Sequence, residues 1–429
     1  MSMNDTPRGE RPHIAVFGRR NAGKSSLINA FCGQGVSIVS PVSGTTTDPV
    51  YKAMELLPAG PVLLVDTAGI DDKGELGQER IRKTMNILHK TDLALLVIDA
   101  EAGAGDFECE LMRTLKAAGI PVIIVLNKID LLTEGTRSPE EYGTGILARL
   151  EAEASDRWFP VSTFSGYGID ALKQAVAGAL ASEEVRFRLV GDLLSPGDVA
   201  VLVVPIDKAA PKGRLILPQQ QMIRDILECN AVAVVTREQE LGHTLASLGR
   251  KPRIVITDSQ VFMKVQADTP RDVPLTSFSI LFARYKGDLS RMVSGVRSIG
   301  GLKDGDRVLI AEACTHHRQC DDIGTIKIPR WLREVTGKQL VIEHAPGSEL
   351  PPELNRYALI IHCGACMLNR RAMLYRLKEA EAAGVPVVNY GVFIAFVQGV
   401  FPRAIEVFPS VMRAWMNNGS DISPSAPIK

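Results

Sequence analysis

The chain has 429 residues, a length that predicts about three domains. Hydrophobic residues make up 45% and charged residues 23%, which excludes a disordered chain, and 49 basic residues balance 49 acidic ones. This zero net charge argues against a protein whose main work is to coat nucleic acid. No apolar run approaches the roughly 18 residues that span a bilayer, so we expect no membrane segment.

The N-terminal residues and the cysteines indicate the compartment. The chain begins with the polar sequence MSMNDTPRGERPH, which lacks the apolar stretch of a secretory signal, so a cytoplasmic location is expected. The seven cysteines of such a chain are better interpreted as thiols or metal ligands than as disulfides.

The first predicted strand leads into a phosphate-binding loop. The apolar run His13–Phe17 stops at Gly18, and residues 18–25 have the pattern G-x-x-x-x-G-K-S before a predicted helix at Ser25–Cys32. Glycines let backbone N–H groups converge on phosphate oxygens at the helix N-terminus. We expect Lys24 to reach the β- and γ-phosphates and the Ser25 hydroxyl to bind Mg²⁺. The predicted nucleotide contacts of this loop are Asn21, Ala22, Gly23, Lys24, Ser25 and Ser26.

A second motif follows the apolar run Val62–Val65, which predicts a buried strand. The run ends in Asp66-Thr-Ala-Gly69. An Asp at the end of a strand can hold the Mg²⁺ shell, and the N–H of Gly69 can bind a γ-phosphate. The pattern is weak alone but strong after a phosphate-binding loop.

Two further motifs predict selection of guanine. Another buried run ends in Asn127-Lys128-Ile-Asp130. The Asp130 carboxylate can accept hydrogen bonds from the ring N–H and the exocyclic amine of guanine, a donor pair that adenine lacks. Ser162 and Thr163 end a later strand candidate, where a loop can close over the base.

This ordered set resembles the translation-factor-like GTPases, in particular the Era/TrmE-like branch, over residues 10–185. The resemblance implies a Ras-like fold and hydrolysis of GTP. It places switch I at residues 44–48, with Thr46 as the second Mg²⁺ ligand and Thr45 as the alternative. Thr47 replaces an Arg common in that branch, and Thr163 stands where those GTPases usually carry Ala. The catalytic set is then Lys24, Thr46, Asp66 and Gly69.

Two residues bear on the rate of hydrolysis. Ile70 stands where Ras-like enzymes carry the Gln that orients the attacking water, so intrinsic hydrolysis should be slow unless another group supplies charge. Asn21 matches the Asn that helps hold K⁺ in potassium-stimulated relatives; the alternative is a loop residue that caps the turn. A cation there would act like an arginine finger, so K⁺ should raise the rate.

The pattern in the middle of the chain predicts a small α/β unit at residues 190–262. We recognise no group of catalytic or metal-ligating residues in it. Its predicted strands are Val199–Pro205, Ala231–Val235 and Pro252–Thr257, with a helix at Pro218–Glu228. A unit this small with several buried strands needs a partner surface, so we expect self-association.

The last third carries a second chemical site. The predicted strand Val308–Ala311 leads into Cys314-Thr-His316, and Ala358–Ile361 leads into His362-Cys363-Gly-Ala-Cys366. If the two strands are adjacent and parallel, their ends bring both groups together. Leu275–Tyr285 and residues 371–383 have helical spacing.

Three interpretations of this site stay open on residue chemistry alone. A structural zinc would take four ligands, such as Cys314, His316, Cys363 and Cys366. A redox pair would use Cys363 and Cys366 and leave Cys314 unexplained. A [4Fe–4S] cluster would take three thiolates, with the fourth iron open or held by another ligand.

A phosphate-binding GTPase followed by C-x-H…H-C-x-x-C resembles the [FeFe]-hydrogenase maturation GTPases over essentially the whole chain. The resemblance implies an α/β protein in which a Ras-like GTPase domain (1–186) precedes two α/β domains with mainly parallel sheets. These are a dimerisation domain (187–264) and a [4Fe–4S]-binding domain (265–429). Cys314, Cys363 and Cys366 would hold the cluster, with Asp321, His316 or His362 as the candidate fourth ligand.

The same resemblance implies a scaffold role, with GTP or GDP, Mg²⁺, K⁺ and the cluster as cofactors. The protein would receive a diiron precursor bearing CO, CN⁻ and a dithiolate bridge, built with two radical-SAM maturases, and deliver it to the apo-hydrogenase. A homodimer or higher oligomer is expected, with no nucleic acid and no membrane.

Two rival hypotheses remain. One is a ribosome- or RNA-associated Era-like GTPase with a structural zinc. Such relatives usually append a basic RNA-binding module, and here the basic clusters are small. The other is a GTP switch without cargo, whose metal is purely structural.

Overall fold

The computed structural model divides the chain into two compact units, Met1–Arg186 and Phe187–Lys429. Within them it describes residues 8–33, 37–38, 50–67, 87–132, 139–152, 156–184, 188–206, 215–313, 322–347, 349–365 and 367–417. None of the helices in these stretches has both the length and the apolar character needed to cross a bilayer.

The first unit is an α/β domain built on a sheet with the order β2-β3-β4-β1-β5-β6-β7. The described strands are β1 (His13–Phe17), β2 (Ser37–Ile38), β3 (Val50–Leu56), β4 (Gly60–Asp66), β5 (Leu93–Asp99), β6 (Val122–Asn127) and β7 (Arg157–Pro160). The described helices are α1 (Lys24–Cys32), α2 (Asp106–Ala117), α3 (Pro139–Arg149) and α4 (Ile169–Glu184). Strands β4, β1, β5, β6 and β7 run parallel, while β2 and β3 pair antiparallel at one edge.

The central strands are apolar throughout because helices cover both faces of the sheet. Along β1, Ile14 and Val16 join one hydrophobic core while Ala15 and Phe17 join the other. The continuous apolar runs in the sequence therefore predict buried parallel strands correctly. The antiparallel edge strands β2 and β3 were not predicted.

The second unit contains two parallel sheets, with the orders β11-β10-β8-β9 and β13-β12-β14-β15. The described strands are β8 (Val199–Val203), β9 (Val232–Thr236), β10 (Ile254–Thr257), β11 (Leu275–Ser277), β12 (Arg307–Glu312), β13 (Val341–Pro346), β14 (Leu359–His362) and β15 (Val387–Asn389). The described helices are α5 (Leu217–Glu228), α6 (Leu241–Ser247), α7 (Phe262–Asp268), α8 (Phe278–Lys286), α9 (Leu289–Gly295), α10 (Ile328–Thr336), α11 (Arg370–Ala382), α12 (Tyr390–Val397) and α13 (Pro409–Asn417). The predicted fold class, a Ras-like domain followed by α/β units with parallel sheets, is confirmed.

One hydrophobic core runs through both sheets of the second unit, from Leu189 to Val411. Strand β11 lies beyond residue 264, yet it pairs in parallel with β10 in the first of the two sheets. The pairing therefore places β11 with the preceding sheet, although the division proposed from the sequence puts it in the last domain. Helix α8 packs on β11, on β15 and on α11 and α12, so it contacts elements of both sheets.

Candidate functional site

The first candidate site lies at the carboxyl edge of the parallel strands of the first unit. The phosphate-binding loop joins β1 to α1, Asp66 ends β4, and Asn127 ends β6. Because parallel strands share one carboxyl edge, these groups come together although they are far apart in sequence.

Backbone geometry explains the glycines of the loop. Gly18 has a φ of +147°, and a Cβ there would lie 2.2 Å from the backbone oxygen of Val97. Gly23 has a φ of +92°, and a Cβ there would lie 2.1 Å from Nδ2 of Asn127. Asn21 also adopts a left-handed conformation, with a φ of 63°. The chain thus curls tightly, as a loop that aims backbone N–H groups at phosphates must.

Lys24 is held over this loop. Its side chain is buried, and Nζ donates to the backbone oxygens of Gly18 at 2.7 Å and Arg19 at 2.6 Å. The Arg19 side chain forms an ion pair with Glu108, a buried residue in the first turn of α2. Glu108 was not predicted from the sequence, where its place near a helix start is its only signal.

The predicted Mg²⁺ side of the site contains two oxygens in contact. The Ser25 hydroxyl donates to Oδ2 of Asp66 at 2.7 Å. Hydroxyl and carboxylate oxygens are ligands that Mg²⁺ prefers. Ser26 follows on α1 and is exposed. The other predicted groups, Thr46 and Gly69, lie outside the described residues, as do Thr45, Thr47 and Ile70.

Asn127 joins the base-binding motifs to the phosphate-binding loop. Its fully buried side chain donates through Nδ2 to the backbone oxygen of Ala22 at 3.0 Å and accepts through Oδ1 from the N–H of Thr163 at 3.3 Å. Nζ of Lys128 pairs with Oδ2 of Asp99 at 2.7 Å. The structure thus brings the predicted loop, N-K-x-D and Ser–Thr segments together through direct bonds.

The outer part of the base site is open. The side chain of Asp130 is exposed on the turn that follows Lys128. Ser162 is buried, and its hydroxyl accepts from the N–H of Ser165 at 3.1 Å, which shapes the loop that follows β7. The exposed Asp130 carboxylate offers acceptor oxygens of the kind that the N–H donors of a guanine edge require.

The second candidate site lies at the carboxyl edge of the second sheet of unit two. Strands β12 and β14 are adjacent and parallel, with Ala311 beside His362, as the sequence analysis expected. Cys363 follows β14 directly. Cys314, His316, Asp321 and Cys366 lie outside the described residues. Among the residues that are described, no group of three or more His, Cys, Asp or Glu is arranged to hold a metal.

The surroundings of the Cys363 sulfur suit a thiolate. Backbone N–H groups of Ala313 and Ala365 donate to Sγ at 3.2 Å and 3.4 Å. Such donors stabilise negative sulfur and occur around cluster thiolates. The residues present therefore fit the ligation of a metal or cluster by sulfur.

His362 is engaged at both ring nitrogens. Nδ1 lies 2.8 Å from the backbone oxygen of Cys363, and Nε2 lies 2.7 Å from a guanidinium nitrogen of Arg376. Burial, and then the positive charge of Arg376, lowers the pKa of His362 to about 3, so the ring is neutral. This geometry opposes the expectation that His362 is a fourth ligand, because neither nitrogen faces an open position.

A buried tyrosine and a buried glutamate lie on the other side of Cys363. Tyr390, at the start of α12, donates to Oε1 of Glu312 at 3.3 Å. Burial, and then the charges of Glu312 and Cys363, raises the pKa of Tyr390, so its hydroxyl stays protonated. Neither residue carried a signal in the sequence beyond its place at the end of a strand: Glu312 ends β12, and Tyr390 follows β15.

The loop that follows Cys363 is anchored by a buried lysine. Nζ of Lys286, on α8, donates to the backbone oxygens of Leu368 at 2.7 Å and Ala365 at 3.3 Å. Ala365 has a φ of 54°, a conformation that costs about 1–2 kcal/mol for a residue with a Cβ. The bonds from Lys286 help to hold this strained turn.

The fold and the first site define the class of the protein. The first unit is a P-loop GTPase domain of Ras-like fold, and residues 13–128 match the family model described as a 50S ribosome-binding GTPase. Residues 189–287 match the hydrogen maturase F dimerization domain, and residues 290–407 match the hydrogen maturase F tetramerization domain. The chain belongs to the hydrogen maturase F family.

Curated relatives match part of the chain. The GTPase Der of Nostoc punctiforme is 33% identical over 189 residues, which is 43% of this chain and 41% of that protein. The human mitochondrial 5-taurinomethyluridine-[tRNA] synthase subunit GTPB3 is 37% identical over 195 residues, 42% of this chain and 37% of that protein. The tRNA modification GTPase MnmE of Desulfotalea psychrophila is 34% identical over 165 residues, 38% of this chain and 33% of that protein. The chain thus spans about a third to two fifths of the length of these relatives.

Lys286→Met should destabilise the second unit. The substitution leaves the buried oxygen of Leu368 without this donor, which costs about 1–3 kcal/mol of unfolding free energy. Urea unfolding followed by circular dichroism measures the change. Lys264→Met, on the exposed face of α7, is the matched control and should be near neutral. Equal unfolding midpoints for the two variants would contradict the anchoring role.

Proposed function

We propose that this protein is a GTP-hydrolysing switch and iron–sulfur scaffold in the maturation of [FeFe]-hydrogenase. It receives a diiron precursor with CO, CN⁻ and dithiolate ligands, made with two radical-SAM maturases, and delivers it to the apo-hydrogenase. The family membership supports the pathway. The observation that supports the scaffold role is the parallel pairing of β12 with β14, the two strands that precede the cysteine motifs in the sequence.

GTP is the substrate of the first site. Backbone N–H groups of the loop and Lys24 bind its phosphates, and Asp130 binds its guanine edge. Mg²⁺, when bound by Ser25, Thr46 and the shell around Asp66, supplies positive charge at the phosphates. Water attacks the γ-phosphate and the bond to the β-phosphate oxygen breaks, giving GDP and phosphate. Hydrolysis biases the contacts with partners by releasing the switch segments.

Cys314, Cys363 and Cys366 hold a [4Fe–4S] cluster in this proposal. Two backbone donors to Sγ of Cys363 support thiolate ligation. The cluster supplies an iron with an exchangeable position, which suits a carrier. Asp321 and His316 are the candidates that remain for that position, since both nitrogens of His362 are engaged.

Cys363→Ser should lose the cluster and the activation of hydrogenase but keep GTP hydrolysis, because a neutral hydroxyl replaces a thiolate and the GTPase residues are unchanged. Iron and sulfide content after anaerobic purification, the EPR spectrum of the reduced protein and GTPase assays measure these properties. Cys229→Ser, on a cysteine of the same unit, is the control and should keep its iron. Zinc without iron in the parent protein, or activation that survives in Cys363→Ser, would overturn the scaffold role.

K⁺ should raise the GTPase rate several-fold over Na⁺, because a cation held by Asn21 stabilises charge on the transferred phosphate. Asn21→Gly tests the side chain alone, since glycine tolerates the φ of 63° found here. The variant should lose the stimulation and keep the Na⁺ rate. Equal GTPase rates of the parent protein in K⁺ and in Na⁺ would contradict stimulation by potassium.

Homodimerisation is proposed through the outer edge of β9. This strand ends its sheet in the described part of the chain, and Val232 and Val235 are 43% and 46% exposed on it. An apolar edge strand is a template for pairing with a second chain.

Val235→Lys should therefore shift the protein from dimer to monomer, because a charged side chain blocks pairing at an edge. Light scattering after size exclusion measures the mass. Met263→Lys introduces the same charge on α7 at a similar exposure and should leave the dimer intact. A Val235→Lys protein that stays dimeric would place the interface elsewhere.

A further inference from the structure

Arg376, on α11, is a buried cation that the proposed chemistry does not use. Its relative exposure is 3%, and no carboxylate among the described residues lies within 4.0 Å of its guanidinium. Its Nε is buried without a hydrogen-bond partner in the same part of the structure. Buried arginines are rare unless they are paired. The groups that act on this one electrostatically are Cys363 and, beyond ion-pair distance, Glu379 and Glu349.

The two terminal nitrogens of Arg376 connect neighbouring strand ends. One lies 2.7 Å from Nε2 of His362, at the end of β14. The other donates at 2.5 Å to the backbone oxygen of Gly347, which follows β13. The N–H of Gly347 in turn donates to the backbone oxygen of Glu312, the last residue of β12, at 2.8 Å. Arg376 therefore links the carboxyl ends of β13 and β14, and Cys363 follows β14 directly.

The contact fixes the tautomer of His362. A guanidinium has only donors, so Nε2 of the imidazole must accept and the ring proton must be on Nδ1. Nδ1 then donates to the backbone oxygen of Cys363 at 2.8 Å. The ring is a brace for the backbone of Cys363, with no lone pair left for iron.

The charge of Arg376 also acts on the Cys363 sulfur. Burial lowers the pKa of Arg376, and the negative charge of Cys363, followed by those of Glu379 and Glu349, opposes that shift. Arg376 and Cys363 therefore interact electrostatically. Adding an electron to a thiolate-bound cluster adds negative charge. A buried cation nearby stabilises that reduced state and raises the reduction potential.

We propose that Arg376 is a positioning residue of the cluster site: it fixes His362 as a brace for Cys363 and, as a buried positive charge, raises the reduction potential of the cluster. The inference rests on the proposed cluster and goes beyond its ligand set.

The first test compares Arg376→Gln with Lys378→Gln in the full chain. Lys378 lies on the same helix but is exposed, so its substitution removes the same charge into solvent. After anaerobic reconstitution, an EPR-monitored reductive titration gives the midpoint potential. We expect a clear shift to more negative potential in Arg376→Gln, a smaller shift in Arg376→Lys and none in Lys378→Gln. Equal potentials in the parent protein and Arg376→Gln at equal iron content would overturn the proposal.

The second test asks whether His362 touches iron. Pulsed EPR of the reduced cluster is recorded for the parent protein and for His362→Gln, both with ¹⁴N- and ¹⁵N-labelled histidine. We expect the same nitrogen couplings in both proteins, since His362 is a brace. A strong histidine coupling that His362→Gln removes would make His362 a ligand and overturn the proposal. This comparison does not use Arg376→Gln, so it can still contradict the proposed role of His362 if that variant does not fold.

The proposed cluster and the role of Arg376 can be tested separately. A parent protein without iron and sulfide would remove the proposed cluster and this inference together. If the parent protein holds a normal cluster and Arg376→Gln leaves its midpoint potential unchanged, only the role proposed for Arg376 would be wrong.

Discussion

Parallel pairing of strands is the constraint on which both sites depend. In a parallel sheet all carboxyl ends lie at one edge, so loops that are distant in sequence become neighbours. In the first unit this places Asp66 at 2.7 Å from Ser25. In the second unit the β12–β14 register sets Ala311 beside His362, in the two strands that precede the cysteine motifs in the sequence. The chemistry of each site follows from a register fixed by buried apolar residues.

Buried cations held by backbone oxygens are a second shared feature of the two sites. Lys24 donates to Gly18 and Arg19, and Lys286 and Arg376 donate to loops around Cys363. Carbonyl groups reduce the desolvation penalty of a buried cation, because their oxygens replace part of its hydration shell. The proposed ligands, phosphates in one site and thiolates in the other, are anionic, so buried positive charge near them favours their binding.

Short-range patterns were the part of both sites that the sequence could predict. G-x-x-x-x-G-K-S and N-K-x-D can be recognised because a strand, a turn and a few adjacent residues suffice. Glu108, Lys286 and Arg376 could not be found in this way, since each is an ordinary charged helix residue until tertiary packing buries it. The helical spacing of Leu275–Tyr285 also hid a strand: Ser277 accepts from the N–H of Ile280 and so starts α8 only at Phe278.

Lys286 connects two stretches of the second unit that match different family models. It lies in the stretch that matches the dimerization model, while the loop it holds lies in the stretch that matches the tetramerization model. The strained Ala365 turn is therefore supported from the preceding sequence module, through α8, and one hydrophobic core spans both. A change that tilts α8 would therefore move the donor that holds the loop after Cys363. The two matched stretches pack as one cooperative unit, and α8 belongs to the core that both share.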